Sequence, residues 1–365
     1  MKAVVAPAVI GEKENPVLIT GGAGFIGSNL ANRLARSGKK VLVIDSLARP
    51  GVEENAAELK RLHPRNISVL ITDVRNEAAA EAVTQASAVV HFAAQVAVTT
   101  SIERPLEDFD INVRGTLNLL EAARSCCKPP TFLFASTNKV YGDLAEVELE
   151  QTRLAYRPAD EHLRAHGIGE SRPLSFHTPY GCSKGAADQY VLDYARTLGV
   201  PAAVFRMSCI YGPRQLGTED QGWVAHFLIK ALQGAPITIY GDGRQVRDVM
   251  FVEDTTEVYA RAIERPSFVA GRAFNVGGGP ENAVSLIQVL NHIGRIVGRP
   301  LEISHSHWRA GDQRYYVSDT RSLRSKIELS PPTPWKTGVS LLAQWLKEAR
   351  PPPRRDDAMI AGDAR

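Results

Sequence analysis

Residues 16–38 read PVLITGGAGFIGSNLANRLARSG. A short apolar run is followed by a glycine-rich turn and then by a segment with helical spacing that ends at the last glycine. Gly22, Gly24 and Gly27 have the spacing Gly-x-Gly-x-x-Gly, and Gly21 precedes them. Because this spacing lies between a predicted strand and a predicted helix, it indicates a turn whose backbone N–H groups and helix N-terminus receive a pyrophosphate.

The same alternation of apolar runs and helical segments continues to about residue 212. Strands that are buried on both faces of a sheet read as continuous apolar runs, because neither side of the strand contacts water. The pattern therefore predicts an α/β fold with a Rossmann-type, doubly wound parallel sheet. Five further strands are predicted at KVLVID (40–45), ISVLITDV (67–74), AVVHFAA (88–94), TFLFAST (131–137) and PAAVFRMS (201–208).

Beyond residue 212 the loops lengthen and the helical segments become more scattered, which predicts a smaller C-terminal lobe over the carboxyl edge of the sheet. A long polar stretch at 144–178 precedes the last predicted helix of the first part, and loops of that length are typically functional or disordered. The predicted organisation is an N-terminal extension (1–15), a dinucleotide-binding domain (16–212, with part of 245–270), a substrate lobe (213–350) and a disordered tail (351–365).

Composition narrows the class of protein. The net charge of the 365 residues is only +3 and no long basic block occurs, so we expect no nucleic-acid partner. No apolar run is long enough to cross a membrane, and the first residues lack the apolar core of a secretory signal, so we expect a cytoplasmic protein. The 4 cysteines have no zinc-like spacing, and no metal site is predicted.

The second predicted strand ends at Asp45, which is 21 residues beyond Gly24. An acidic residue at this position typically binds the hydroxyls of the adenosine ribose, and it would repel a 2′-phosphate. The sequence therefore favours NAD over NADP, although Arg49 would suit the phosphorylated cofactor. The candidate cofactor residues around this point are Gly21, Gly24, Phe25, Ile26, Gly27, Asp45, Asp73, Val74, Ala93, Ala94 and Gln95.

The fifth predicted strand ends at Ser136 and Thr137, and the next helix contains Tyr180 and Lys184 in HTPYGCSKGAADQY (177–190). Carboxyl ends of parallel strands face the ligand crevice, so these side chains are expected beside the nicotinamide. Oxidation of an alcohol requires removal of its hydroxyl proton, and Tyr180 is the candidate base. Lys184 and the nicotinamide charge would lower the phenol pKa, while Thr137 would orient the reacting oxygen.

These residues together resemble the extended short-chain dehydrogenase/reductase family, and the resemblance runs over nearly the whole chain. It includes Asn112 in NVRGTLNLLEAA and the stretches GDGRQVRDVMFVED (241–254) and GDQRYYVSD (311–319). The resemblance implies that Thr137, Tyr180 and Lys184 are catalytic, that NAD is the cofactor, and that the substrate is a nucleotide-diphosphate sugar. It also implies that Asn112, Ser136, Tyr180 and Lys184 contact the cofactor, and that the protein is a homodimer or homotetramer.

The reaction is narrowed by the residues that follow Thr137. Dehydratases of this family have an Asp-Glu pair there, whereas this chain has Asn138 and Lys139, which cannot act as the carboxylic acid. STNKVYGDL (136–144) and YGPRQLGTEDQGWVAHF (211–227) resemble the CDP-paratose 2-epimerase (CDP-tyvelose epimerase) group. That resemblance implies inversion at C2 of a CDP-hexose by transient oxidation to a 2-keto sugar. The predicted substrate residues are Asn138, Lys139, Arg214, Gln215, Gln221, Trp223, Arg247 and Arg314.

Three alternatives remain open at this point. A 4-epimerase of a nucleotide sugar would use the same Thr, Tyr and Lys. A 4,6-dehydratase lacks its acidic pair here, and a non-catalytic NAD-binding regulator would not need the three reactive groups. Pro213 stands where the tyvelose enzymes are expected to have glycine, so the identity of the sugar is also open.

Overall fold

The computed structural model describes residues 15–309 and 311–349. Residues 1–14 of the predicted N-terminal extension and the whole of the predicted tail (351–365) lie outside the described residues. The strands are β1 (Val17–Thr20), β2 (Val41–Asp45), β3 (Ile67–Ile71), β4 (Ala88–His91), β5 (Thr131–Thr137), β6 (Leu149–Gln151), β7 (Tyr156–Pro158), β8 (Ala202–Met207), β9 (Cys209–Tyr211), β10 (Ile237–Tyr240), β11 (Val246–Phe251), β12 (Ala273–Val276), β13 (Ala283–Ser285), β14 (Ile303–Ser306) and β15 (Tyr315–Tyr316).

Helices alternate with these strands through the first part of the chain. They are α1 (Phe25–Arg36), α2 (Val52–Leu62), α3 (Glu77–Thr84), α4 (Val98–Glu103), α5 (Pro105–Phe109), α6 (Gly115–Ser125), α7 (Glu161–His166), α8 (Thr178–Thr197), α9 (Trp223–Gln233), α10 (Val252–Glu264), α11 (Pro266–Val269), α12 (Leu286–Val297), α13 (Arg321–Arg324) and α14 (Trp335–Ala349). A π-helical turn (Asp110–Arg114) joins α5 to α6, and short 3₁₀ turns occur at Asn138–Tyr141 and Pro280–Asn282.

The central sheet has seven strands in the order β12-β8-β5-β4-β1-β2-β3, and all neighbouring pairs are parallel. The predicted Rossmann-type α/β fold is confirmed. The order reverses between β1 and β4, and in open parallel sheets a ligand crevice forms outside the carboxyl ends of strands at such a point. Every residue of β1 and β4 is buried, which agrees with their continuous apolar sequences.

The seventh strand, β12, was not predicted from the sequence; its residues AFNV include a polar asparagine and lie beyond the regular alternation that ends near residue 212. It pairs with β8, and it comes from beyond residue 212. One face of the sheet packs against α1 and α10, and the other packs against α3, α6 and α8. The division at residue 212 stays a prediction, with the central sheet drawing one strand from the C-terminal half.

The C-terminal half adds a second core over the carboxyl edge. There β11 pairs with β9, β13 and β15, while α9, α12 and α14 bury apolar side chains such as Leu228, Val289 and Leu342. The stretch 144–178 is not a plain loop, because it contains the antiparallel pair β6–β7 and the helix α7. Its end is attached to the rest of the fold where Ile168 N–H donates to Val317 O at 2.7 Å.

A buried ion pair joins α8 to the central sheet. Arg206 on β8 binds Asp188 on α8 through two hydrogen bonds, Nε to Oδ2 at 2.9 Å and Nη2 to Oδ1 at 3.0 Å. The Ser136 hydroxyl donates to the same carboxylate at 2.8 Å, and Arg206 Nη1 donates to the Tyr141 hydroxyl at 3.1 Å. The helix is therefore anchored to β5, to β8 and to the turn after β5.

No helix among residues 15–309 and 311–349 is both long and apolar enough to cross a membrane. Within the same ranges, no group of three or more His, Cys, Asp or Glu side chains is arranged to hold a metal ion.

We expect Arg206→Met to destabilise the protein by about 3–5 kcal/mol, because the Asp188 carboxylate would stay buried without its counter-ion. Urea unfolding followed by circular dichroism measures this change. The matched control is Arg261→Met, since Arg261 pairs with Glu264 at 3.4 Å on the exposed face of α10. That variant should lose less than about 1 kcal/mol. A loss of similar size in both variants would contradict the structural role of the buried pair.

Candidate active site

The glycine-rich turn brings the backbone of β1 close to the loop after β4. Gly21 has a φ of +65°, and a Cβ on it would lie 2.7 Å from Ala93 N. A Cβ on Gly27 would lie 2.3 Å from Gly21 O, so α1 can approach the turn only with glycine there. Gly24 is the N-cap of α1 and supplies no side-chain cap. The backbone N–H groups of Phe25 and Ile26, in the first turn of α1, therefore have no side-chain cap and are suited to bind a pyrophosphate.

Asp45 lies at the end of β2, beside this turn. Its Oδ2 accepts a hydrogen bond from Ala23 N at 3.0 Å, and its Oδ1 accepts one from Leu47 N at 2.9 Å. The carboxylate is therefore fixed at the position where the sequence predicts the adenosine ribose. A fixed negative charge there suits the ribose hydroxyls of NAD and disfavours a 2′-phosphate.

Asp73 and Val74 follow β3, where the sequence predicts contact with adenine. Arg75 Nη2 donates a hydrogen bond to Asp73 Oδ2 at 2.8 Å. This hydrogen bond lowers the pKa of Asp73 below its usual value. The Val74 side chain packs against the start of α6, where a Cβ on Gly115 would lie 2.7 Å from it. The adenine contacts of both residues remain predictions.

Asn112 connects the loop after β4 to α8, the helix that contains Tyr180 and Lys184. It accepts a hydrogen bond from Gln95 N at 2.9 Å, and its amide donates to Gln95 O at 3.0 Å and to the Ser183 hydroxyl at 3.0 Å. Asp108, one turn before it, accepts from Gln95 Nε2 at 2.8 Å. Ala93 and Ala94 lie in the same loop, whose strand ends at His91, earlier than the sequence predicts.

Tyr180 and Thr137 meet at the carboxyl edge of the sheet. Thr137 ends β5 and Tyr180 lies in the first turn of α8, so that the Thr137 hydroxyl acts on the phenol. Thr137 is 8% exposed and Tyr180 is 9% exposed, so both are nearly buried. Burial raises the pKa of Tyr180 to about 12; the Thr137 hydroxyl opposes this shift, and the charge of Asp108 acts in the same direction as burial. The protein alone therefore keeps the phenol protonated.

Lys184 lies one helical turn after Tyr180, but its ammonium group contacts the strand. Nζ donates to Ala135 O at 2.6 Å and lies 4.1 Å from the centre of the Phe134 ring. Burial lowers the pKa of Lys184 to about 7, against the opposing charges of Asp188 and Asp108. The sequence predicts that Lys184 and the nicotinamide charge lower the phenol pKa. In the protein by itself the net effect on Tyr180 is the opposite, because desolvation dominates.

Asn138 and Lys139 turn toward the segment that precedes β15. Asn138 Nδ2 donates to Gln313 Oε1 at 3.2 Å, and Lys139 Nζ donates to Gly311 O at 3.1 Å. Lys139 and the buried Arg247 share Asp312 Oδ1, at 3.5 Å and 2.7 Å. Burial alone would raise the pKa of Asp312, but these two cations outweigh it, and the pKa lies below its usual value. Two cations and one carboxylate leave this cluster with a net positive charge.

The remaining predicted substrate residues lie between β9 and the start of α9, or directly before β15. Gln215 is buried and donates to Ile210 O at 3.1 Å, while its Oε1 has no hydrogen-bond donor within the described residues. Trp223 Nε1 donates to Cys209 Sγ at 3.4 Å. Gln221 pairs with Thr218 through backbone hydrogen bonds.

Two of the predicted substrate arginines have other contacts. Arg214 has a φ of +66° and binds Glu58 of α2 at 3.1 Å and Asn29 of α1 at 3.3 Å. Its guanidinium is thus used within the fold. Arg314 is exposed and lies over the rings of Tyr156 and Trp308, at 5.8 Å and 5.6 Å. A substrate role for either arginine stays a prediction.

Several residues of this site were not predicted from the sequence. Asp108, Ser183, Asp312 and Gln313 contact the predicted residues, and Ser136 uses its hydroxyl on Asp188. Asp312 and Gln313 lie within GDQRYYVSD, a stretch that already carried the family resemblance and could have indicated a role for both residues. Their partners Asn138 and Lys139 are more than 170 positions away in the chain, however, and Arg247 is 65 positions away, so only the fold brings them together.

Three known proteins are similar to this chain over most of its length. A CDP-paratose 2-epimerase of Salmonella typhi is 42% identical over 337 residues, which cover 90% of this chain and 98% of the relative. A dTDP-glucose 4,6-dehydratase of Xanthomonas campestris pv. campestris (strain B100) is 31% identical over 351 residues, with 90% and 92% covered. The crystal structure of the Thermus thermophilus UDP-glucose 4-epimerase in complex with NAD has a TM-score of 0.75, 31% identity, and coverage of 92% and 99%.

The family model that describes the NAD dependent epimerase/dehydratase family matches residues 17–277. This match includes the glycine-rich turn, Asp45, Thr137, Tyr180 and Lys184. The chain therefore belongs to the NAD-dependent epimerase/dehydratase family of extended short-chain dehydrogenases/reductases.

Proposed function

We propose that this NAD-dependent nucleotide-sugar epimerase inverts C2 of a CDP-linked hexose, in a reaction of the CDP-paratose to CDP-tyvelose type. The observation that carries the proposal is the 42% identity with a CDP-paratose 2-epimerase, of which the alignment covers 98%. Asn138 and Lys139 support it, since neither is the acid that a dehydratase needs after Thr137. A 4-epimerase is the second candidate, because it would use the same three reactive side chains.

The chemistry of C2 explains why an oxidation is required. A C2–H bond with no adjacent carbonyl is not acidic, so deprotonation alone cannot invert this carbon. Bound NAD supplies reversible two-electron oxidation of the sugar carbon, with no external reductant. Tyr180 accepts the proton of the C2 hydroxyl as the 2-keto sugar forms, and it returns that proton when the alcohol is restored on the other face.

Lys184 and Thr137 prepare Tyr180 for this proton transfer. The fold holds the phenol in its protonated form, with a pKa of about 12. We propose that the positive charge of the bound nicotinamide, together with protonated Lys184, stabilises the phenolate during oxidation. The raised pKa is an advantage in the return step, because the phenol is then ready to donate. Thr137 contacts Tyr180 and orients the reacting oxygen.

Inversion also requires that the sugar turns while the nucleotide stays bound. We propose that Lys139 and Arg247 hold the diphosphate, since with Asp312 they form a cluster of net positive charge. Gln215, Gln221, Trp223 and Arg314 remain candidates for the base or the sugar. The buried Gln215 Oε1, which lacks a donor within the described residues, supports a ligand contact at that point.

A cytoplasmic location is part of the proposal. The cysteines at 126, 127, 182 and 209 are free thiols, the state that a reducing compartment maintains.

A homodimer or homotetramer is also proposed. Helices α4, α5 and α8 pack together and expose the apolar side chains of Ile102, Leu106, Phe109 and Tyr190. Leu106 has 81% of its surface accessible in the single chain, which is unusual for leucine. A second copy of the chain would cover this face.

The first experiment uses CDP-paratose and, in parallel, CDP-glucose, each deuterated at C2, with proton NMR of the products. We expect a manno-configured product that keeps deuterium at C2, because the same hydrogen leaves and returns. Inversion at C4 with an untouched C2 would establish the 4-epimerase instead. A 4-keto product would indicate a dehydratase, and deuterium lost to water would contradict internal return.

Tyr180→Phe should lower kcat by about 10²- to 10⁴-fold, because the general base is removed while the aromatic ring stays. NAD binding, measured by calorimetry, should change little. Tyr190→Phe is the matched control, since Tyr190 lies on the exposed side of the same helix, and it should keep full activity. Unchanged turnover in Tyr180→Phe would exclude the proposed role.

Leu106→Glu should convert the oligomer to monomers, because a charge would be buried at the proposed interface. Light scattering after gel filtration measures the mass. Phe268→Glu on α11 places the same charge at another exposed apolar residue and should leave the mass unchanged. If both variants keep the wild-type mass, α4, α5 and α8 do not form the interface.

A further inference from the structure

Residues 213–216, which we call the crossing segment, connect the two sides of the central sheet. They follow β9, which continues from the carboxyl end of β8. Their side-chain contacts, however, lie on α1 and α2, which pack beside β1, β2 and β3. The strand order reverses between these two groups of strands, and the dinucleotide crevice forms there, outside the carboxyl ends. The crossing segment therefore passes over this crevice.

Arg214 attaches the crossing segment to both helices. Its Nη1 donates to Asn29 Oδ1 of α1 at 3.3 Å, and its Nε donates to Glu58 Oε2 of α2 at 3.1 Å. Asn29 Nδ2 in turn donates to Pro213 O at 2.9 Å. The Arg214 side chain is only 11% exposed, so its charged hydrogen bonds are partly shielded from water, where such bonds are stronger than an exposed ion pair.

The end of the crossing segment is also held on both sides of the crevice. A Cβ on Gly51 would lie 2.8 Å from Leu216 Cδ1, so this leucine packs directly on the turn before α2. On the opposite side, Gln215 Nε2 donates to Ile210 O of β9 at 3.1 Å. Because α1 and α2 each follow a strand, their first turns lie at the carboxyl edge of the sheet, where a dinucleotide enters.

The backbone of this segment forms a turn that favours glycine at position 214. Gln215 N donates to Gly212 O at 3.3 Å, with Pro213 as the second residue of the turn. Arg214 is the third residue and has a φ of +66°, which glycine adopts readily and a residue with a Cβ adopts only at a cost in free energy. An arginine at such a strained position indicates a function for its side chain.

We propose that Arg214 is a cofactor-retention residue, because its contacts with Asn29 and Glu58 hold the crossing segment closed over the crevice that receives NAD. The segment then has to detach from α1 and α2 before the cofactor can leave. This inference goes beyond the inversion of C2, and it does not depend on which sugar carbon reacts.

Retention of the cofactor suits an epimerase. The sugar gives up a hydride in the first half of the reaction and takes it back in the second, so each turnover regenerates NAD and requires no exchange of cofactor. Release between the two halves would leave an oxidised sugar without its reductant. A segment that closes the crevice slows this release without touching the reacting atoms.

The test measures how fast the cofactor leaves the protein. Protein loaded with fluorescent NADH is mixed with an excess of NAD, and the loss of bound fluorescence gives the dissociation rate. Arg214→Gly should raise this rate about tenfold, because both hydrogen bonds of the guanidinium are lost. Since glycine accommodates a φ of +66°, we expect this variant to fold, with a melting temperature close to that of the wild type in the absence of nucleotide.

Glu58→Gln tests the partner of Arg214 and leaves the strained backbone unchanged. It should raise the dissociation rate by a smaller factor, about threefold, because the charge is lost and the shape is kept. In the Arg214→Gly background it should add nothing, since the contact is already absent. Glu264→Gln is the matched control and should leave the rate unchanged, because Glu264 pairs with Arg261 on the exposed face of α10.

An unchanged dissociation rate in folded Arg214→Gly would overturn the proposal, and so would independent, additive effects of the two substitutions. Weaker binding of CDP to Arg214→Gly with an unchanged NADH dissociation rate would assign Arg214 to the substrate instead. If Arg214→Gly does not fold, Glu58→Gln decides the question, and a wild-type rate in that variant contradicts retention. None of these measurements requires turnover of a sugar, so their outcome is separate from that of the proposed C2 epimerisation.

Discussion

The ion pair between Asp188 and Arg206 is the interaction on which the geometry of the candidate active site depends. It lies one turn after Lys184 on α8 and joins that helix to β8 inside the protein, with both side chains almost without solvent contact. Through Ser136 and Tyr141 the same pair also reaches the end of β5 and the turn that follows Thr137. A shift of α8 along the sheet would have to break charged hydrogen bonds in a medium that offers no replacement. Tyr180 and Thr137 are consequently held at a fixed separation.

Burial then determines the protonation of the reactive groups. Arg206 and Asp188 offset the cost of desolvation by pairing with each other, whereas the same burial disfavours charge on Tyr180 and on Lys184 and moves their pKa values in opposite directions. Before ligands bind, the site therefore has a neutral phenol and an amine that titrates near neutral pH. A cation placed beside them would shift both equilibria, which links proton transfer to the presence of the nicotinamide. Only the protonated form of Tyr180 can donate a proton. The resting site therefore has the protonation state that reduction of a keto group to an alcohol requires.

Asn138 directly follows Thr137 at the end of β5. A side chain at this position can contribute through its own acidity and through its contacts with the segment before β15. In this chain the residue is Asn138, which has no acidic group but does form a hydrogen bond with Gln313. The neighbouring Lys139 and Arg247 both pair with Asp312, so this cluster contains two cations and one carboxylate. Neither Asn138 nor Lys139 carries a carboxylic acid that could protonate a leaving hydroxyl.

Local sequence was sufficient for the dinucleotide half of the protein. Buried parallel strands have continuous apolar sequences, and the glycine spacing marks the turn between strand and helix. The elements β1, β2 and α1, and the position of Asp45, could therefore be predicted from residues that are close together in the sequence. Tyr180 and Lys184 could be paired because they are neighbours on one helix. The tertiary structure decided what lies around them: β12 from beyond residue 212, Asp108 beside the phenol, and Gln313 against Asn138. These contacts join residues far apart in the chain, and no local spacing encodes them. Hydrogen-bond direction and desolvation, which set the pKa values of the site, exist only after the chain has folded.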